Sequence, residues 1–221
     1  MARAARRKGP SRSLKLPRFY PIVDAGLLAA RGIEVRRFAE ELRDAGVSLL
    51  QYRDKSGEPS QILCHARIID DVFRDIDRLL VMNDDPVLAM LSDWNAVHVG
   101  QEDTAVMKAR KMLLPGGIVG CSTHNDEQVR AAVEQGADYI AIGPVFQTST
   151  KENPDPVVGL EGVRRARALT KLPLVAIGGI TLENAPSVIE AGADSVAVIS
   201  ALLVDGSRVE KVAEDFLRVL G

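Results

Sequence analysis

Short apolar runs rich in Val and Ile recur eight times along this 221-residue chain, separated by longer amphipathic stretches. That alternation marks βα units laid around a parallel sheet, whose strands are covered on both faces and so read as continuous apolar runs. The runs lie near residues 19–24, 48–53, 79–83, 96–100, 117–121, 139–143, 173–178 and 195–200. Helical patterning fills Val35 to Ala45, Pro59 to Asp75, Asn125 to Gln135, Leu160 to Thr170, Asn184 to Glu190 and Arg208 to Leu220. Gly46, Gly136 and Gly192 stand where three of these helices give way to a strand, and each supplies a left-handed residue cheaply. Every strand reads as buried and none as a polar edge. The expectation is therefore a single-domain α/β fold, a closed (β/α)8 TIM barrel, with an open doubly wound sheet as the alternative. The length suits one such domain and is short for two.

Charge is distributed unevenly. Arg3, Arg6, Arg7, Lys8, Arg12, Lys15 and Arg18 all precede the first acid, Asp24, although the whole chain carries a net charge of only −2. The head lacks the apolar core of a secretory signal, and no aromatics interleave its cations as in a nucleic-acid arm. Residues 1–17 read as a disordered basic tail and 18–221 as the barrel domain. No apolar run approaches the roughly 20 residues that a membrane helix needs, so a soluble, cytoplasmic protein is expected. Cys64 and Cys121 are far apart, and His65, His98 and His124 share no metal-ligand spacing, which argues against a disulfide framework and against zinc. Cys121, near His124, reads as a small apolar residue at a strand end rather than a nucleophile.

In such a barrel the chemistry sits at the C-terminal ends of the strands. Polar residues gather there: Gln51, Arg53, Asp54 and Lys55 after the second run; Asn83, Asp84 and Asp85 after the third; His98, Gln101, Glu102 and Asp103 after the fourth; Ser122 and His124 after the fifth. Singly, each has a bland explanation, since Asp84 or Asp85 suits a helix cap before Pro86, as does Asp103 before Thr104. Together, Arg53 and Lys55 beside Asp84 and Asp103 suit a metal and a polyphosphate, because Mg2+ is commonly held by one or two carboxylates plus substrate phosphates. Lys151, in the long loop after the sixth run, adds a further cation. A second anion site is expected across the rim, from Gly179, the turn after Ser200, and the hydroxyls of Thr148, Ser149 and Thr150. Two phosphorylated substrates follow.

The segments Gln-Tyr-Arg-Asp-Lys (51–55), Asn-Asp-Asp (83–85), Val-His-Val-Gly-Gln-Glu-Asp (97–103), Gly-Cys-Ser-Thr-His (120–124), Gly-Pro-Val-Phe-Gln-Thr-Ser-Thr-Lys (143–151), Ala-Ile-Gly-Gly-Ile (176–180) and Val-Ala-Val-Ile-Ser (196–200) stand in an order that resembles the thiamine-phosphate synthase family. The resemblance spans roughly residues 19–203, by inspection. It implies that Gln51, Tyr52, Arg53, Asp54, Lys55, Asn83, Ser122 and Lys151 bind an aminopyrimidine diphosphate. Asp84 and Asp103 would hold Mg2+. Thr148, Ser149, Thr150, Gly179, Ile199 and Ser200 would bind a thiazole phosphate. Tyr52 replaces the more usual aliphatic residue, which bears on substrate fit. The reaction implied is carbon–nitrogen bond formation with loss of pyrophosphate, Arg53, Lys55, Ser122 and Lys151 being the candidate catalytic residues. Small molecules are the expected partners, with neither nucleic acid nor membrane. Residues 144–158, bracketed by Gly143 and Gly159, are a candidate lid. A thiazole tautomerase using His124, or a phosphate-binding module without catalysis, are the rival readings; neither calls for the full set of cations and acids.

Overall fold

The computed structural model describes residues 14–148 and 155–221. Eight parallel strands form a closed barrel in chain order: β1 (Phe19–Asp24), β2 (Leu49–Arg53), β3 (Leu79–Asn83), β4 (Ala96–Val99), β5 (Ile118–Thr123), β6 (Tyr139–Ile142), β7 (Leu174–Ile177) and β8 (Ser195–Val198). Closure is made by β8 against β1, with Phe19, Tyr20 and Pro21 in register with Val196, Ala197 and Val198. No strand is left as an edge, which removes the open doubly wound alternative. The helices run α1 (Ala25–Ala30), α2 (Val35–Asp44), α3 (Pro59–Val72), α4 (Pro86–Leu91), α5 (Val106–Met112), α6 (Asp126–Glu134), α7 (Gly159–Leu169), α8 (Ala185–Glu190) and α9 (Val209–Leu220), with a 3-10 turn at Ser200–Leu202.

Three helices, α1, α4 and α5, lie where no helical pattern was expected. Each is six or seven residues long, too short to display the repeat of an amphipathic face. Two of them are held by their first turns instead: Asp24 Oδ1 accepts from Leu27 N at 2.9 Å, and Asp85 Oδ1 from Val87 N at 2.7 Å and Leu88 N at 3.1 Å, whereas α5 has no side-chain cap. The three expected glycine stops are all left-handed, at φ 91° for Gly46, 83° for Gly136 and 112° for Gly192. After Gly46 the Val47 N–H returns to Leu42 O at 3.1 Å, and after Gly136 the Ala137 N–H returns to Ala132 O at 3.0 Å, the paired bonding of a Schellman stop.

Two apolar layers follow from the two faces of each strand. Outward side chains such as Phe19, Val23, Leu50 and Val97 pack under the helices, with Phe19 stacked on Phe216 of α9 at 5.1 Å. Inward ones, among them Tyr20, Ile22, Leu49, Val81, Tyr139 and Val175, fill the barrel. Leu14 and Leu16 pack against this interior cluster, so the tail expected over 1–17 is corrected in its last part: residues from Leu14 onward belong to the barrel's packing. The remainder of the basic head lies outside the described residues. Among the described residues no helix is long and apolar enough to cross a membrane.

Candidate active site

The strand ends of β1 to β4 bring together the charges that the sequence had distributed. Strand alternation turns Gln51 and Arg53 toward the barrel axis and Tyr52 away from it. Arg53 donates from its guanidinium to Asp24 Oδ2, an acid at the end of β1 that is 8 % exposed and also caps α1. Lys55 donates to Asp84 Oδ2. Asp84 occupies a left-handed conformation at φ 64°, where a short polar side chain is tolerated. Its N–H donates to His98 O at 2.7 Å, prolonging the β3–β4 ladder by one residue. The next residue, Asp85, takes the cap of α4, and that division of labour frees Asp84 for the mouth.

Asp103 is likewise no helix cap: α5 starts after Ala105, without a side-chain cap. Its Oδ2 accepts from Gly100 N at 2.7 Å, folding the β4–α5 loop back so that its carboxyl lies beside that of Asp84. A Cβ on Gly100 would stand 2.8 Å from Asp103 Oδ2, so glycine makes room for that closure. Burial, then the Asp103 carboxyl, push Asp84 up to about 6, against the pull of Lys55. Burial also works against ionising Asp103, but hydrogen bonds from Asp84 and the Gly100 N–H outweigh it and hold Asp103 below the usual carboxylate range. Two carboxyls this close resist ionising together unless a cation joins them.

Below this rim the barrel carries a continuous polar chain. Gln51 Nε2 donates to Tyr20 Oη at 3.1 Å; Tyr20 and Tyr139 hydroxyls lie 3.0 Å apart; Tyr139 Oη meets His98 Nδ1 at 2.9 Å; and His98 Nε2 meets Ser122 Oγ at 2.8 Å. His98 is driven down to about 4 by burial, which the charge of Asp103 only partly opposes. The neutral ring is therefore retained. Gln51 and Ser122 thus sit at the two ends of one buried network, Gln51 itself 3 % exposed. Asn83 is half-buried at the end of β3, in register with His98.

Tyr52 and Asp54 require correction. Tyr52 is completely buried under the helices, its hydroxyl 2.7 Å from His65 Nδ1 on α3 and 3.2 Å from Asp54 Oδ2. The strand's pleat decides this, because a residue between two inward neighbours must face outward. Asp54 Oδ1 accepts from Gly57 N at 2.7 Å and Ser56 N at 3.2 Å, so Asp54 shapes the β2–α3 turn. Tyr52 thus faces the helices rather than the mouth, while Asp54 stands half-buried in the turn that follows Arg53. Cys121 also faces outward; burial, then the Asp103 charge, raise its thiol to about 11, as expected of a residue with a packing role.

Across the mouth, the loop after β6 begins as an extension of the sheet. Val145 N donates to Ile177 O and Phe146 N to Gly178 O, each at 2.9 Å. Gly178 and Gly179 are both left-handed, and a Cβ on Gly179 would stand 2.4 Å from Gln147 O. The glycine pair is thus required by the close passage of residues 144–147, which corrects the lid boundary: its first residues are fixed to β7. His124 Nδ1 donates to Gly143 O at 2.6 Å, and its Nε2 lies 3.3 Å from Asp155 Oδ2, tying the β5 end to the far side of the same loop. Thr148 is half-buried beside this passage, Ile199 half-buried at the end of β8, and Ser200 exposed at the start of the 3-10 turn. Ser149, Thr150 and Lys151 lie outside the described residues.

Sequence reasoning passed over Asp24, Tyr20 and Tyr139. Asp24 had a signal, an acid closing an apolar run on the rim side. The tyrosines had only their inward register, which the order of residues does not reveal.

A closed parallel barrel with cations and an adjacent acid pair at its C-terminal mouth belongs to the class of TIM-barrel enzymes that handle phosphorylated substrates. Residues 19–202 match the family model described as thiamine monophosphate synthase. A thiamine-phosphate synthase of Koribacter versatilis is 49% identical over 209 residues, covering 94% of this chain and 97% of that one. One of Chloroflexus aurantiacus is 39% identical over 186 residues, covering 84% and 85%. Among solved structures, the thiamine phosphate pyrophosphorylase of Pyrococcus furiosus superposes with a TM-score of 0.81 at 31% identity, over 92% of this chain and 95% of that one. This chain belongs to the thiamine monophosphate synthase family, whose members are transferases.

Proposed function

We propose that this barrel joins 4-amino-2-methyl-5-pyrimidinylmethyl diphosphate to 4-methyl-5-(2-phosphoethyl)thiazole, giving thiamine phosphate and pyrophosphate. Besides family membership, the observation that carries the reading is the meeting of Lys55, Asp84 and Asp103 next to the Arg53–Asp24 pair. The thiazole nitrogen attacks the pyrimidine methylene, the carbon–oxygen bond to the diphosphate breaks, and pyrophosphate leaves with the electron pair. No proton need move at the reacting carbon, so the site calls for cations more than for an acid and a base.

The paired carboxylates fit a divalent cation: one of them is pushed up to about 6 by burial and by the other, a conflict that a positive ion relieves. Asp84 and Asp103 would hold Mg2+, which when bound supplies positive charge to the diphosphate. Arg53 and Lys55, with Lys151, bind the same diphosphate and stabilise the charge that grows on it. Such a contact at 4 Å is worth about 1 kcal/mol in water and about 4 kcal/mol at an effective dielectric of 20, so exclusion of water strengthens each cation. Gln51, Asn83 and Ser122 orient the pyrimidine. Thr148, Ser149, Thr150, Gly179, Ile199 and Ser200 receive the thiazole phosphate. A thiazole tautomerase acting through His124 would leave the carboxylate pair without a task. The setting we infer is the cytoplasm, with small molecules as the only partners that the chemistry demands.

Thiamine-phosphate formation from the two purified substrates, measured with Mg2+ and with EDTA, tests this reading. Product is expected only with metal, and Asp84→Ala should raise the Mg2+ needed for half-maximal rate by roughly tenfold or more. Unchanged activity of Asp84→Ala at low Mg2+ would remove the metal assignment, and no product from folded protein would remove the synthase reading.

A further inference from the structure

The Gln51 amide turns its nitrogen toward Tyr20, and in that orientation the buried chain from Gln51 to Ser122 has one direction that satisfies its hydrogens. Gln51 Nε2 can only donate, so the Tyr20 oxygen accepts, at 3.1 Å. Tyr20 is 1 % exposed, which denies its own hydroxyl hydrogen to bulk water. The remaining partner is the Tyr139 oxygen at 3.0 Å, so Tyr20 donates to Tyr139. Tyr139 then donates to His98 Nδ1 at 2.9 Å, which must be the bare nitrogen of the ring. A neutral imidazole so placed carries its hydrogen on Nε2 and gives it to Ser122 Oγ, at 2.8 Å. Run the other way, from Ser122 toward Gln51, the chain would strand the Tyr20 hydroxyl hydrogen in the barrel interior, at the full desolvation penalty of an unpaired donor. Ser122 ends the chain half-buried, with its hydrogen still to give.

The network is built into the packing. A Cβ on Gly120 would stand 2.0 Å from Tyr139 Cζ, so β5 has a glycine where the tyrosine ring must lie. Tyr139 stacks on His98 with ring centroids 5.4 Å apart and planes 26° from parallel, and meets Tyr20 edge-on at 6.3 Å. Ring contacts on two sides fix the hydroxyl that fixes the imidazole.

We propose that Tyr20, Tyr139 and His98 are positioning residues that hold Ser122 as a hydrogen donor to the mouth: they lock His98 in the Nε2–H tautomer, so that Ser122 Oγ is already an acceptor inside and offers its hydrogen outward. The group that Ser122 meets is then an acceptor, a phosphoryl oxygen or a ring nitrogen, and not a donor. This rests on the reading of Ser122 as a contact of the pyrimidine diphosphate. The direction of the chain does not.

The tautomer is measured first, on the whole ligand-free protein labelled with 15N-histidine. There are three histidines, and the His98 signals are those lost in His98→Gln. A long-range 1H–15N correlation at neutral pH is expected to show His98 with Nδ1 bare and Nε2 protonated; the opposite tautomer overturns the proposal, whatever the protein catalyses. Kinetics follow in a double-mutant cycle. Tyr139→Phe should lower kcat/KM for the pyrimidine diphosphate about tenfold, the share of one neutral hydrogen bond, and leave KM for the thiazole phosphate unchanged. In a Ser122→Ala background it should lower it little further. An equal loss in both backgrounds would show that Tyr139 does not act through Ser122, and also overturns the proposal. The expected tautomer in a protein that makes no thiamine phosphate would overturn the synthase reading instead, leaving the chain's direction standing.

Discussion

Neighbouring residues on one strand end do different work here because the pleat separates them. Gln51 and Arg53 serve the interior and the mouth, whereas Tyr52 between them holds β2 to α3 through a hydroxyl 2.7 Å from His65 Nδ1. Tyr52→Phe would leave His65 and Asp54 short of a buried partner. It should lower stability by about 1–2 kcal/mol and leave both KM values unchanged. Urea unfolding beside steady-state kinetics checks this; a raised KM with unchanged stability would return Tyr52 to the substrate. The same separation governs Asp84 and Asp85. Two adjacent acids before a proline are indistinguishable as caps in the sequence, and only the left-handed backbone at φ 64° assigns Asp84 to the mouth and Asp85 to α4.

The strands were legible from their apolar runs, to within one or two residues at most ends, because burial on both faces leaves no polar position to confuse the period. The longer helices were legible from the amphipathic repeat that burial of one face imposes. α1, α4 and α5 were not, since fewer than two turns cannot repeat an apolar stripe; α1 and α4 depend on their caps, and α5, without a side-chain cap, on the strand end and loop that launch it. Glycine shows the same limit. Gly46, Gly136 and Gly192 announce helix stops through local bonding, whereas Gly120 has no local task. Its task is to leave space for Tyr139 on the neighbouring strand, which a Cβ would approach to 2.0 Å. Gly120→Ala should therefore cost about 1–3 kcal/mol, the range for overpacking a filled core, with a lower melting temperature. A melting temperature equal to that of the parent protein would mean that the ring shifts without penalty.

For the molecule as a whole, two buried groups pull stability in opposite directions as the solution is acidified. His98 is held down to about 4 while an unfolded histidine titrates near 6.5, so below that pH the unfolded chain takes up a proton the barrel refuses. Stability falls from about pH 6.5 toward pH 4, by a few kcal/mol in all. Asp84, raised to about 6, binds its proton more readily folded than unfolded, and so adds stability as pH falls from about 6 toward its ordinary range. The two partly offset each other in the free protein. Asp84→Asn removes the second effect, and its unfolding free energy should drop between pH 7 and pH 5 more steeply than that of the parent protein, by roughly 1 kcal/mol. Identical pH profiles would mean that Asp84 does not hold its proton more tightly in the folded protein.

The order of residues alone determined the barrel, the rim on which its chemistry lies and the family, because alternating burial and strand-end polarity are local properties of a βα unit. Tertiary structure alone decided which of those rim residues face one another. Asp24 reaches Arg53 from the preceding strand, Asp103 folds back onto Asp84, and Tyr20 and Tyr139, 119 positions apart, meet inside the barrel to orient His98. Such pairings depend on the register and closure of eight strands, and no stretch of sequence short enough to be read as a motif contains both partners.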